Sequence, residues 1–473
     1  MCGIVGFFSH KSVSLELYES LLHLQHRGQD TAGILTCDER MHVKIGRGLA
    51  HEVFLPADIK ALTGNIGIGH LRYPTNGKHA LAEAQPLTTT YPYGMGLVHN
   101  GNIINDVELK AVLKKKRRYL NSFSDSELLL TYFASLLADQ PLTNNEEGLF
   151  TTICTALTQL FNLAKGAYSV ITVVVGMGLV VFRDPHGIRP LVMGERKNER
   201  GRSDYSFASE NIPFYSLGFK FLGDVAPGEV IFINLEGQLF RKQLMTKVFR
   251  PCVFEYVYLS RPDTILNKLS VYRTRLQMGK NLAQAWKKKY PDKLPDVVVP
   301  IPFTSNTPAL AFANTLGVRY SEGLYKNPFI GRTFIMPTQE KRVKSVRTKL
   351  HPQVTELKNK KVLLVDDSIV RGTTSLEIVK MVREAGAKEI YLVSACPPVK
   401  FPCYYGIYIP THEELIANQH SENVIAKAIG VDLLLYQSLD DLETAVLKRS
   451  DLHQLTGLCK ACLDGHYFCG KPL

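Results

Sequence analysis

The sequence predicts two fold classes in one chain: an α+β half followed by an α/β half built on a parallel sheet. Three observations carry this. A chain of 473 residues, 45% hydrophobic and 21% charged, can bury two ordinary cores and gives no case for disorder. As far as Asn234, short Val- and Ile-rich strands are separated by glycine turns, with few helical stretches. From about Val271 strands and helices alternate, the pattern of a parallel sheet with crossover helices.

In chain order, residues 2–8 read as an apolar, glycine-broken strand, and 15–24 and 124–137 as helices. Residues 167–182 form the longest apolar run, too short to span a bilayer and interrupted by Gly176-Met177-Gly178, so it reads as a buried hairpin. Residues 242–262 join the halves, giving domains 2–235 and 250–473. Strands follow at 296–302, 361–365 and 389–394, with helices at 308–316 and 374–385. The tail after Tyr436 starts helical and ends cysteine-rich. The net charge of +12 is spread along the chain, dense only at 114–118 and 341–349, and suits a polyanionic small substrate as well as it suits nucleic acid. Nine cysteines and no secretion signal argue for a reducing compartment, with thiols used for metal or catalysis rather than disulfides.

With Met1 removed, Cys2 would carry a thiol and a free α-amino group. An α-amine has a pKa of roughly 7.7–8.0 and a thiol about 8.5, so the amine can take the thiol proton without a histidine. Cys2 also reads as a small hydrophobe opening a buried strand. The first half further carries Gln25-His26-Arg27-Gly28-Gln29-Asp30, Gly69-His70-Leu71-Arg72-Tyr73-Pro74-Thr75, His99-Asn100-Gly101-Asn102 and Ser124-Asp125-Ser126-Glu127. Singly, Arg72 reads as a surface cation, Asn100-Gly101 as a hairpin turn, and Ser124-Asp125 with Glu127 as a helix N-cap. Together they resemble the glutamine amidotransferase domain of the N-terminal-nucleophile class over the whole first half. That resemblance implies an αββα sandwich in which Cys2 attacks the glutamine amide. Arg72 would hold the α-carboxylate and Asp125 the α-ammonium. The Asn100 side chain and the Gly101 N–H would stabilise the oxyanion, each such donor contributing roughly 3–4 kcal/mol in other acyl-transfer sites.

In the second half, the buried-strand run 361–365 leads into Asp366-Asp367-Ser368-Ile369-Val370-Arg371-Gly372-Thr373-Thr374-Ser375 and then a helix. Two adjacent acids can bind sugar hydroxyls or a magnesium shell, and the turn can cradle a phosphate. An acidic loop with an N-cap is the plainer reading. The full string resembles the fingerprint of phosphoribosyltransferases that use phosphoribosyl pyrophosphate. The resemblance implies a type I phosphoribosyltransferase domain, with Asp366 and Asp367 on the ribose hydroxyls and Mg²⁺, and Ser368, Arg371, Gly372, Thr373 and Thr374 around the 5′-phosphate. Thr304, in Pro300-Ile301-Pro302-Phe303-Thr304-Ser305, stands where that family binds pyrophosphate and Mg²⁺. Lys326, Arg332, Lys341, Arg342, Lys344 and Arg347 read as a solvated basic loop or, near a pyrophosphate, as a mobile lid that brings Lys326 to substrate. Pro328-Phe329 departs from the Arg-Tyr of relatives.

An amidotransferase half joined to this site resembles the glutamine phosphoribosylpyrophosphate amidotransferase family nearly end to end, including residues 182–190, 224–229 and 255–258. The resemblance implies that ammonia passes inside the protein to C1 of phosphoribosyl pyrophosphate, giving 5-phosphoribosylamine in the first step of purine synthesis, with Tyr258 and Arg261 at the junction where the passage starts. It also implies feedback by purine nucleotides, a homotetramer, a cytoplasmic setting, and neither a nucleic-acid nor a membrane partner. A non-catalytic phosphoribosyl pyrophosphate or nucleotide sensor of similar fold is the alternative, and it would not need Cys2. Cys459-Lys460-Ala461-Cys462, with Cys252 and Cys403, supplies four thiols for zinc or an iron–sulfur cluster, and spacing alone does not choose between these or simple buried thiols. Relatives with all four positions filled carry a [4Fe–4S] cluster, which the resemblance implies here. Those relatives usually begin with a short propeptide, whereas here Met1 alone stands before Cys2.

Overall fold

The change of pattern between the halves corresponds to a change of sheet type. The computed structural model describes residues 2–73, 81–141, 145–328, 346–407, 409, 411–448 and 455–472. Its first half holds two antiparallel sheets. One has seven strands in the order Lys220–Asp224, Val192–Lys197, Ser203–Ala208, Gly3–Phe8, Ile66–Arg72, Thr31–Cys37, Met41–Arg47. The other has six, in the order Leu239–Gln243, Glu229–Asn234, Gly178–Arg183, Gly166–Val174, Met95–Ile103, Leu87–Thr89.

Successive side chains on a strand face opposite ways, so Ile4, Phe8, Ile68, Val98, Ile171 and Phe207 meet between the sheets. Their neighbours face outward: Val5, Phe7 and Leu71 pack under helix Ser14–Leu24. Leu97, Val170, Phe182 and Phe232 pack under helices Asp125–Ala138 and Glu146–Leu163. The layers are helix, sheet, sheet, helix, as the resemblance implied. Each fully buried large apolar side chain contributes about 1.5–3 kcal/mol, so these layers hold the half together.

The expected hairpin is present, with Gly166–Val174 antiparallel to Gly178–Arg183. Asn100-Gly101 is not a turn, because both residues lie inside a nine-residue strand opposite Ser169 and Tyr168. Helix Glu146–Leu163 goes beyond the two helices read from the sequence. Its buried Ile153, Ala156, Leu157, Leu160 and Phe161 keep helical spacing, but Thr151, Thr152, Thr155 and Thr158 weaken the local propensity. The 182–190 string is a brace: the buried Arg183 guanidinium donates to the carbonyls of Arg189, Val225 and Gly187 at 2.7–2.8 Å.

The second half has five parallel strands in the order Arg319–Tyr320, Val297–Pro300, Lys361–Asp366, Glu389–Ser394, Leu433–Tyr436. Val299, Leu364 and Leu392 face helices Thr373–Glu384 and Glu422–Ile429. Val298, Leu363 and Val393 face helices Val271–Lys289 and Asn306–Leu316. A sheet covered on both faces requires such unbroken apolar strands. After Val297–Pro300 the chain adds a strand on one side, and after Lys361–Asp366 on the other. Such a reversal opens a crevice at the C-terminal strand ends. No helix among the described residues is long and apolar enough to cross a membrane.

Candidate active sites

Cys2 lies at one end of the inter-sheet layer. Because Gly3 pairs with Leu71, Cys2 falls beside Arg72, and Asn100 approaches from the facing sheet. The Cys2 backbone N–H donates to Asn100 Oδ1 at 3.2 Å. The Asn100 amide nitrogen is buried and has no hydrogen-bond partner. An orphaned buried donor calls for an explanation, and here it is free for an oxygen in front of Cys2. At Gly101, a Cβ would stand 1.9 Å from the Ala167 carbonyl oxygen, so only glycine fits.

Arg72 is not a surface cation. Only 8% exposed, it pairs with Asp30 at 3.3 Å and Glu83 at 2.5 Å. The N-cap reading of Ser124 holds, since its side chain accepts from Ser126 N–H at 3.2 Å. The next residue, Asp125, accepts from Ile103 N–H at 3.1 Å, at a helix N-terminus that favours a carboxylate. Cys2, Arg72, Asn100 and Asp125 are therefore carried by adjoining ends of the two sheets and one helix. Met1, Pro74 and Thr75 lie outside the described residues.

Sequence reasoning gave no role to the network behind them. His99 Nδ1 lies 3.0 Å from Ser126 Oγ, the Gln85 amide donates to that oxygen at 2.8 Å, and Gln85 Oε1 accepts from His99 N–H at 2.6 Å. This ties the strand holding Asn100 to the helix holding Asp125. His99 and Ser126 stood within quoted motifs, whereas Gln85 carries no local signal. His70 is buried with both ring nitrogens unpartnered. Burial first, then the charge of Arg72, pushes its pKa down to about 3.

Strands Val297–Pro300 and Lys361–Asp366 are neighbours, so the Thr304 turn and the Asp366-Asp367 loop leave the same edge of the sheet. Burial, then the adjacent Asp367 charge, raises the Asp366 carboxyl well above the usual range. Asp366 Oδ1 accepts from Asp367 N–H at 2.9 Å, and Ser368 Oγ donates to Asp367 at 2.8 Å. Gly372 starts helix Thr373–Glu384 at φ 75°. The first helical bond runs from Leu376 N–H to Gly372 O, which leaves the N–H groups of Thr373, Thr374 and Ser375 outside the helical ladder, as a phosphate cradle needs. Lys326 Nζ stands 4.8 Å from the Phe303 ring centre, beside Thr304. Arg371 pairs with Glu414 at 2.6 Å. Arg347 pairs with Glu384 at 2.8 Å. Phe329, Arg332, Lys341, Arg342 and Lys344 lie outside the described residues.

The two halves meet directly. Asn102 Nδ2 donates to the Tyr404 carbonyl at 2.9 Å, and a Cβ on Gly406 would stand 2.9 Å from Gly101. Nearby, Cys252 and Cys459 form a parallel bridge, with Val253 N–H donating to Cys459 O at 3.0 Å. Cys252, Cys403, Cys459 and Cys462 share one apolar cluster. Burial first, then the other thiols, raises the pKa of Cys459 and Cys462 well above normal, and burial lifts Cys252 to about 11. Among the described residues, no group of three or more His, Cys, Asp or Glu side chains is arranged to hold a metal ion. The all-thiol donor set does suit a soft metal or iron–sulfur centre.

Residues 75–215 match the glutamine amidotransferase domain family and 273–399 the phosphoribosyl transferase domain family. The chain is 48% identical over 453 residues to an amidophosphoribosyltransferase of Escherichia coli, covering 94% of this chain and 88% of that one. It is 45% identical to one of Saccharomyces cerevisiae, with coverage of 93% and 88%. Among solved structures, a glutamine phosphoribosylpyrophosphate amidotransferase from B. subtilis, complexed with ADP and GMP, superimposes with a TM-score of 0.85 at 36% identity, covering 98% of this chain and 97% of that one.

Proposed function

The chain belongs to the amidophosphoribosyltransferase family, and on that premise we propose how its residues divide the chemistry. The overall activity moves the amide nitrogen of glutamine to C1 of phosphoribosyl pyrophosphate, releasing glutamate and pyrophosphate, at the entry to purine biosynthesis. Once Met1 is removed, the Cys2 α-amine takes the thiol proton and the sulfur attacks the glutamine amide. The C–N bond breaks as ammonia leaves with that proton, and water hydrolyses the thioester to glutamate. Arg72 and Asp125 hold the two ends of the amino acid. The Asn100 amide and the Gly101 N–H receive the oxyanion. The orphaned Asn100 amide beside the Cys2 nitrogen is the observation that carries this reading.

Ammonia then travels past Tyr258 and Arg261 to the second site. The contact of Gly406, in the second half, with Gly101 supports an internal route. Asp366 and Asp367 take the ribose hydroxyls, and the turn from Ser368 through Arg371 and Gly372 to Thr373 and Thr374 takes the 5′-phosphate. Lys326 and Thr304 face the pyrophosphate. Mg²⁺ held by Thr304, Asp366 and Asp367 would offset the charge of the departing pyrophosphate. The raised pKa of Asp366 supports this role, because a cation or a hydroxyl donor there relieves a buried carboxyl held next to a second acid.

Cys252, Cys403, Cys459 and Cys462 would hold a [4Fe–4S] cluster that staples the tail to the linker. Purine nucleotides would act as inhibitors, as the ADP and GMP bound to the B. subtilis protein suggest, on a homotetramer in the cytoplasm. A sensor without catalysis would have no use for the Cys2 set.

Replacing Cys2 by Ala tests the reading. Glutamine-dependent amination should vanish while ammonia-dependent amination stays largely intact, and equal loss of both would sink the two-site account.

A further inference from the structure

Arg27, in the first half, is fully buried. Its Nε donates to the Cys2 carbonyl at 3.1 Å. Its other nitrogens are taken by two buried carboxylates, Glu210 at 2.5 Å and Glu255 at 2.9 and 3.1 Å. Glu210 follows a strand of the first half, but Glu255 opens the π-helical turn Glu255–Leu259 in the segment leading to the second. Glu255 also accepts from Arg189 and, at 2.7 Å, from Ser260 Oγ. Glu210 accepts from Arg261 N–H at 3.0 Å and Thr264 Oγ1 at 2.5 Å, with His26 at 2.7 Å. Burial opposes both charges, yet the arginines hold Glu255 below the usual carboxylate range. Two arginines against two glutamates, all dry, fix their members far more tightly than exposed pairs do, and removing one partner strands a charge.

We propose that Glu255 is a positioning residue for Cys2, acting through Arg27: a carboxylate of the connecting segment sets the orientation of the attacking residue in the other half. The same segment reaches the phosphoribosyl side. Arg275, in helix Val271–Lys289 against the parallel sheet, donates to the carbonyls of Tyr256 at 2.9 Å and Ser260 at 2.7 Å. The chain of contacts therefore runs from Cys2 through Arg27, Glu255 and Ser260 to Arg275 on a helix of the second half. The consequence is that the glutamine site reaches its working geometry only when the connecting segment is seated. This inference rests on the assignment of Cys2 as the attacking group.

The test is Glu255→Gln in the full chain, assayed with glutamine and, separately, with ammonia. Misplacing a reacting group by about 1 Å costs up to ~100-fold, so kcat with glutamine should fall about 10- to 100-fold. KM for glutamine should stay within about twofold, since Arg72 and Asp125 are untouched. Ammonia-dependent pyrophosphate release should keep its wild-type rate. A wild-type kcat with glutamine would overturn the proposal, and so would parallel loss with both donors, which marks a merely structural role. Should Glu255→Gln fail to fold, Ser260→Ala removes a single hydrogen bond to the same carboxylate. It should lower kcat with glutamine severalfold and leave the ammonia rate alone, and an unchanged kcat would overturn the proposal. If Cys2→Ala retained glutamine-dependent amination, the underlying site assignment would fail instead.

Discussion

At the scale of single residues, two buried groups near the proposed sites respond to pH in opposite senses. His70 has a folded pKa of about 3 because burial and Arg72 disfavour its charge. The unfolded chain takes up that proton near pH ~6.5 while the native chain refuses it, so stability falls as pH drops from about 6.5 towards 3, by about 1.4 kcal/mol per pH unit. Urea midpoints at pH 7 and pH 5 should show this slope, and His70→Asn should reduce it by about one proton; an identical slope would contradict the assignment. Asp366 behaves inversely. Its folded pKa is raised, so it favours the folded state at low pH and loses that contribution as pH rises above the unfolded value near ~3.9. Asp366→Asn should therefore raise the melting temperature of ligand-free protein at pH 7. Combined with Asp367→Asn, it should weaken phosphoribosyl pyrophosphate binding in calorimetry with Mg²⁺ while sparing glutamine hydrolysis; unchanged affinity would reject the role. Asp366 and Asp367 were legible because they sit in a run of unusual residue types, whereas His70 stood inside a quoted motif with no role of its own. Gln85, Glu210 and Glu83 were not legible: each is one polar residue whose meaning lies in a partner from a separate element.

At the scale of elements, the strand, loop and helix spanning 361–384 was readable nearly to the residue, since apolar strand, acidic pair and glycine each have a separate local cause. Gly372 is required by its φ of 75°, and a Cβ there would also push aside the end of the Ile416 side chain, whose Cδ1 would stand 2.3 Å away. Left-handed backbone costs a residue other than glycine roughly 1–2 kcal/mol. Gly372→Ala should therefore weaken phosphoribosyl pyrophosphate binding about 10-fold or more, leaving glutamine hydrolysis in place. Calorimetric affinity equal to wild type would show that the turn does not hold the phosphate. Asn100-Gly101 misled as a dipeptide because its turn signal is local while its strand pairing, nine residues opposite Gly166–Val174, is not.

At the scale of the whole molecule, the two domains follow from composition and alternation, but their docking does not. Tyr404 to Gly406 against Gly101, and the Arg27 cluster, join residues hundreds of positions apart, and no local pattern announces them. The four cysteines come from linker, sheet loop and tail, so a cluster there would cross-link distant parts of the chain. Protein prepared without oxygen should be brown, and Cys462→Ser should bleach it and lower the melting temperature. Colourless protein holding one zinc per chain would contradict the cluster, and metal-free protein of full stability would contradict any metal role.

One chain couples glutamine hydrolysis to displacement of pyrophosphate. The most direct measurement is pyrophosphate release by the purified chain with Mg²⁺, in the presence of glutamine, phosphoribosyl pyrophosphate, or both. Release should require both, with about one glutamate formed per pyrophosphate. Pyrophosphate released at the same rate without a nitrogen donor, or no release with both substrates present, would contradict it.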